Sequence, residues 1–248
     1  MTRTFGLSSV FLLSIAIAVV SVRFLFAPLA EVMPHMAHYL PALPLPLYGH
    51  LIFGPLALVL MPFQFWTRLR TKAPKMHRWM GRLYALAILI AAVSALAMLP
   101  VFQGTLWAAV GFAALALAWI GTTAIGVMAA RRRDFATHRR WMLRSAILTF
   151  AAVTLRLIMA PLMAAGWSVN QTYDVTAWSS WVLPLVVVEM TPPVTSPYWA
   201  GTPPVVTSVD WMASRGRLMS PRIFTPSTNT TLPSERPPRK KVPPLRSS

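Results

Sequence analysis

The 248-residue chain is 56% hydrophobic, only 12% charged and free of cysteine, where a soluble domain averages about 25% charged residues. The missing cysteines exclude a disulfide framework, a thiolate metal site, an iron–sulfur cluster and a cysteine nucleophile, and six acidic residues leave little for carboxylate chemistry. This is the composition of a membrane protein, and redox or metal chemistry in it must use the five histidines or a bound cofactor.

In chain order, six apolar segments approach the roughly 20 residues that a helix needs to cross hydrocarbon: 5–29, 48–65, 79–99, 106–130, 141–163 and a shorter one at 175–189. The shortest contains Pro184 and is flanked by Asp174 and Glu189; it reads as a tilted span in preference to a re-entrant segment. The first reads as a span and not as a cleaved signal, because Arg23 lies beyond its apolar run and no small-x-small site precedes a soluble domain. The expected fold is all-α: a polytopic transmembrane helical bundle of about six spans over residues 1–190.

Cytoplasmic loops retain Lys and Arg during insertion while translocated loops are depleted of them. The connection at 67–82 holds Arg68, Arg70, Lys72, Lys75, Arg78 and Arg82, and that at 131–144 holds Arg131, Arg132, Arg133, Arg139, Arg140 and Arg144. The segments 30–47, 100–105 and 164–174 hold neither residue type and carry Glu31 and Asp174. Both basic connections are therefore expected inside, with the N-terminus cytoplasmic, in a multi-pass protein. The net charge of +17 is tied to membrane edges and to the tail, so nucleic acid is not an expected partner; the lipid bilayer is.

Residues 191–248 contain 12 of the 23 prolines, 16 Ser or Thr, and eight Lys or Arg against two acids. Such a segment cannot bury enough apolar area to offset chain entropy, and a disordered tail is expected. Its basic end, Arg236 to Lys241, suits a solvated tail or contact with anionic headgroups.

The two basic connections end alike, in His77-Arg78-Trp79-Met80-Gly81-Arg82 and in His138-Arg139-Arg140-Trp141-Met142-Leu143-Arg144. An offset of about 61 residues makes spans two–three and four–five two copies of one hairpin, a parallel repeat with spans one and six outside a four-helix core. Trp at this depth belongs to an aromatic belt and Arg can snorkel to phosphates. The imidazoles need another reason. At a helix N-terminus they are held neutral by the dipole, and two facing neutral imidazoles, His77 and His138, can ligate haem b iron. Arg82 and Arg144 would then meet propionates or headgroup phosphates. The alternative is a capping or headgroup role for both histidines.

On the outer side, His35, His38 and His50 have a spacing compatible with one metal ion, against the plainer reading that they are solvated. Arg156 falls about fifteen positions into the fifth span, where a lipid-facing charge costs at least about 2.5–3.5 kcal/mol. It must face the bundle or a watery cavity, paired with Glu31 or Asp174 or with an anionic ligand such as a propionate, a carboxylate substrate or a phospholipid headgroup. Gln64, Ser94, Thr122 and Thr123 read as interhelical hydrogen bonds. No Walker motif, nucleophile elbow, zinc protease motif or dinucleotide fingerprint is present.

Gly49-His50 with Gly54 and Pro62-Phe63-Gln64-Phe65, His77 to Tyr84, Asp134 to Ser145, and Ala151 to Leu157 occur in the order of a known family. Over about residues 5–189 the chain resembles the bacterial integral membrane proteins grouped as domain of unknown function 2306. The resemblance implies a multi-span inner-membrane protein without an assigned activity and puts His50, His77, His138 and Arg156 at motif positions. A more distant likeness, of architecture only, is to cytochrome b561-type haem bundles. The fourth span has no histidine, so at most one haem is expected. The resemblance stops near Glu189, and the tail after it would follow from a shifted reading frame, which resequencing would test. Two functions compete: a haem-binding or redox-linked membrane protein using His77 and His138, and a non-enzymatic assembly factor or small-solute or lipid carrier with an outer polar pocket at His50 and Arg156.

Overall fold

The computed structural model describes residues 2–190, with side chains from residue 8 onward; the expected tail at 191–248 lies outside the described residues. Six long helices run through it: α1 Thr2–Val22, α2 Pro44–Gln64, α3 Pro74–Met98, α4 Leu106–Arg131, α5 Phe135–Ala164 and α6 Val169–Met190. The first five lie in segments long and apolar enough to cross a membrane. At 22 residues α6 is about 33 Å long, but it is more polar. The hydroxyls of Thr172 and Thr176 are turned inward and donate to backbone carbonyls of the preceding turn, at 2.8 and 2.7 Å. These residues lower the helix's mean hydropathy without meeting lipid.

Several helices begin before the apolar runs. α2 and α3 start at Pro44 and Pro74, where proline's missing N–H costs nothing and its φ suits the first turn. α5 starts at Phe135 behind Asp134, whose carboxylate accepts from the Thr137 N–H at 3.0 Å. That bond holds the Asp134 carboxyl below the usual carboxylate range. The first turns of α3 and α5 are thus basic extensions of helices whose middles are apolar.

α2 and α3 form one antiparallel hairpin, α4 and α5 a second; α3 meets α4, α1 packs on α2, and α6 packs along α5 and α4. Small residues set the close approaches, as they do where apolar lipid removes the hydrophobic drive for helix pairing. A Cβ on Gly49 would lie 2.4 Å from Ser94 Oγ, and one on Gly126 would lie 2.7 Å from Met142 Sδ. At Gly111 a Cβ would come within 3.0 Å of the Ala177 carbonyl and 2.8 Å of the Trp178 ring nitrogen, which brings α4 against α6. The same two helices are tied at their starts. Trp107 donates to the Asp174 carbonyl and Trp178 to the Trp107 carbonyl, each at 3.1 Å, while Thr105 donates to the Asp174 carboxylate.

The hairpin repeat is visible in the helix starts. α3 and α5 begin 61 residues apart, with His77 and His138 each as the fourth residue. Arg82 stacks on Trp79 at 5.1 Å and Arg144 on Trp141 at 4.8 Å. The four-helix core contains Ala57, Leu58, Ala87, Ile88, Ala91 and Val153. The end of the bundle carrying the 67–82 and 131–144 connections is called the basic end below, and the other the far end.

Candidate functional site: two polar clusters and a buried hydroxyl network

The helices place polar groups at three depths. At the far end, α5 carries Arg156 eight residues before its last residue, about 12 Å in along the axis. Its guanidinium donates to the Ala152 carbonyl at 2.8 Å and, more weakly, to Ser21 Oγ on α1 at 3.4 Å. The Ser21 hydroxyl passes its own proton to the Ile17 carbonyl, which leaves its oxygen as the acceptor. Among the described residues no carboxylate lies within ion-pairing distance of Arg156. Asp174 is engaged by Thr105 instead, so neither expected protein partner neutralises the charge.

Two further groups sit within electrostatic reach of Arg156: His50 on α2 and Tyr173 on α6. His50 Nδ1 lies 3.0 Å from the Ala91 carbonyl of α3. A carbonyl accepts only, so Nδ1 carries the proton and Nε2 keeps a free lone pair. The approach of Gly49 to Ser94 brings α2 close enough to α3 for this bond. Tyr173 packs edge-on against Phe112 at 5.5 Å and His35 at 6.1 Å. His38 stacks on Tyr39 at 4.0 Å, and its Nε2 is buried without a partner.

His35, His38 and His50 do not converge as a metal site; no group of three or more His, Cys, Asp or Glu does so among the described residues. Burial and the neighbouring His38 hold His35 below its ordinary value of 6.5. The folded state therefore disfavours protonated His35. Its contribution to stability is present above about pH 6.5 and is lost as the pH falls from there through the lowered value. Melting temperature in detergent is expected to drop between pH 7 and 5, and His35→Gln should flatten that drop. An unchanged slope in the variant would assign the acid sensitivity elsewhere.

At the basic end, His77 on α3 and His138 on α5 are brought within electrostatic reach of each other. His138 Nδ1 lies 2.8 Å from the Gly126 carbonyl, so its Nε2 is likewise the free nitrogen. His77 Nδ1 and Gln64 Nε2 are buried and unpartnered, and Gln64 Oε1 lies 3.2 Å from where a Gly81 Cβ would stand. The arginines expected beside this pair have other engagements. Arg144 forms a forked ion pair with Glu189 on α6, at 2.6 and 2.9 Å, which fastens the end of α6 to α5. Arg82 is exposed and lies over Trp79.

Between the two ends lies a network that the expected site residues did not include. Tyr84, 1% exposed, reaches from α3 to Thr149 Oγ1 at 2.7 Å and Ser145 Oγ at 3.1 Å on α5. Trp119 on α4 donates to Thr149 at 2.9 Å, and Thr123 meets Ser145 at 2.7 Å. The protons can be placed. Thr123 donates to the Trp119 carbonyl and Thr149 to the Ser145 carbonyl, so Ser145 donates to Thr123 and Tyr84 donates to Thr149. Every donor in the network is used. His138, Ser145, Thr149 and Arg156 follow at steps of seven, four and seven, which puts them on one stripe of α5.

The comparisons with known proteins bear on this arrangement through the positions they cover. No curated protein and no solved structure matches the chain. A family profile described as "Predicted membrane protein (DUF2306)" matches residues 47–191, a stretch holding nearly all of α2, the rest of the bundle through α6, and His50, His77, His138 and Arg156. With more than half of its length matched, the chain belongs to the DUF2306 family of membrane proteins.

Proposed function

We propose that this membrane protein binds a small anion, a carboxylate or a phosphate, in its far-end pocket, with Arg156 as the anchoring cation and His50 and Tyr173 beside it. The observation that carries this reading is a guanidinium inside a span that is bonded only to neutral oxygens. A buried charge is stable when paired and hydrogen-bonded, and an incoming anion supplies the missing charge-assisted bonds, in a bidentate fork if its oxygens allow. His50 Nε2 is an acceptor as long as the ring is neutral and can take the proton of a monoprotonated phosphate or carboxylic acid. Positive charge on both basic loops supports an orientation with the far end outside, so the pocket would take its ligand from the periplasmic side. Reporter fusions at residues 70 and 103 test the orientation; periplasmic activity at 70 would invert it.

The binding test is thermal unfolding of detergent-purified protein titrated with succinate and with inorganic phosphate. Ligand at 100 times its Kd should stabilise by about 2.7 kcal/mol. The shift should vanish in Arg156→Gln and survive in part in Arg156→Lys, which keeps the charge and loses the fork. A wild type that responds to neither anion and carries no anion from the membrane by native mass spectrometry would sink the reading.

A second reading rests on the closeness of His77 and His138. Two imidazoles from neighbouring helices, with a free Nε2 on His138 and an unpartnered Nδ1 on His77, support ligation of a haem iron or another transition metal there. A reduced-minus-oxidised spectrum of protein made with ample haem tests it. A b-type spectrum lost in His77→Ala and in His138→Ala supports it, and colourless folded protein retires it.

A further inference from the structure

α3 and α4 are joined at the far end by the seven residues 99–105, and between them runs a groove of about 260 Å³ open to the side of the bundle. Ala85 and Leu89 on α3 and Ile120, Ala124 and Val127 on α4 make its apolar walls, and Arg131 closes its basic end. On α3, Arg82 stands one turn before Ala85, at positions 82, 85 and 89, and so shares their face. The α4 wall ends in Arg131, and the α3 wall continues toward the basic end in Arg82. From Ile120 to Arg131 the groove is eleven residues tall, about 16 Å, close to half of a hydrocarbon core of about 30 Å.

We propose that this groove is a binding site for an anionic phospholipid of the leaflet at the basic end, with one acyl chain lying between α3 and α4 and the phosphate held by Arg82 and Arg131. Three features converge on that occupant. The height fits the depth of one leaflet, the walls offer hydrocarbon nothing to hydrogen-bond except the Thr123 side chain, which is already engaged with Ser145 and the Trp119 carbonyl, and the basic end is lined by Arg131, with Arg82 one turn beyond Ala85 on the same face of α3. Basic pockets between transmembrane helices recognise anionic headgroups through such an arrangement. The guanidinium of Arg82 is oriented by its stacking on Trp79, and Arg131 has no carboxylate partner among the described residues. The site is separate from the far-end pocket and does not depend on the reading of Arg156.

The test uses the full chain in detergent, exchanged into mixtures of phosphatidylglycerol and phosphatidylcholine of matched acyl chains, with retained lipid counted by native mass spectrometry. One phosphatidylglycerol should be retained preferentially. At about 1 kcal/mol per basic residue near the surface, each arginine is worth roughly fivefold in that preference. Arg82→Gln with Arg131→Gln should therefore lower it by roughly 25-fold. Arg132→Gln with Arg133→Gln, on the same turn but outside the groove, should leave it unchanged. Ala124→Phe, which fills the groove, should reduce retention of both lipids while the melting temperature shows the bundle intact. Equal retention of the two lipids by the wild type would overturn the proposal. So would an equal loss in both arginine pairs, which would mean a diffuse surface field and no site.

Discussion

Replacing Tyr84 by Ala is expected to destabilise the bundle by about 3–5 kcal/mol, the range for removing a large aromatic side chain from a packed core. Two effects add. The ring is 1% exposed and packs among Ile88, Ala87 and Met142 in the central cluster, so its loss leaves a cavity between α3 and α5, which meet through side chains at this level. The hydroxyl also joins the network, and without it Thr149 loses the Tyr84 donor. Tyr84→Phe separates the two effects. It keeps the packing and removes the hydroxyl, and Thr149 still accepts from Trp119 and donates to the Ser145 carbonyl, so a cost of about 0.5–1.5 kcal/mol is expected. Urea or sodium dodecyl sulfate unfolding in mixed micelles reads both. A Phe variant as damaged as the Ala variant would make the hydroxyl, and not the packing, the main contribution.

The contrast between these variants bears on what the sequence made legible. Helix number and the two basic ends follow from apolar run length and from where Arg and Lys fall, because insertion acts on those features directly. Helix starts do not follow from them. The first turns of α3 and α5 project past the hydrocarbon, so a window that seeks apolar residues begins at Trp79 and Trp141 while the backbone is helical from Pro74 and Phe135. The start of α6 is hidden for a related reason: the helix begins at Val169, but its first turns hold Asn170, Gln171, Thr172 and Asp174, and an apolar window begins only at Val175.

Within the sites, Arg156 and the histidines stood out because each is costly or unusual in its place. Tyr84, Ser145, Thr149, Tyr173 and Ser21 did not, since single Ser, Thr and Tyr residues are ordinary in membrane helices and gain their partners only when other helices are brought against them. One signal was available, the steps of seven, four and seven that carry His138, Ser145, Thr149 and Arg156 along one stripe of α5. The engagement of Arg144 was hidden by distance in the chain. Its partner Glu189 lies 45 residues on, at the end of the shortest apolar segment. The pairing of Arg156 with Glu31 or Asp174 was reasonable from charge counting and failed on geometry, because Asp174 caps the joint between α4 and α6.

That failure leads to the second large effect. Arg156→Leu is expected to stabilise the ligand-free protein, by about 2–3 kcal/mol, while abolishing its response to anions. A cation within a span costs at least about 2.5–3.5 kcal/mol when nothing neutralises it, and the two bonds it makes here, to the Ala152 carbonyl and weakly to Ser21, are to neutral acceptors. Leucine forfeits those bonds, yet Ser21 keeps its bond to Ile17, and Ala152 belongs to a helix whose carbonyl retains its intrahelical donor. Little polar surface is therefore stranded by the change. A cation that lowers stability while bonded inside a span only to neutral oxygens is the pattern of a site organised for a ligand. Unfolding of the two proteins in anion-free buffer decides the sign. A more stable Arg156→Leu protein that no longer responds to succinate or phosphate fits an anion site held ready at a cost to the empty fold. A less stable one would make Arg156 a brace between α5 and α1, and the far-end pocket would lose its anchoring charge as evidence for a ligand.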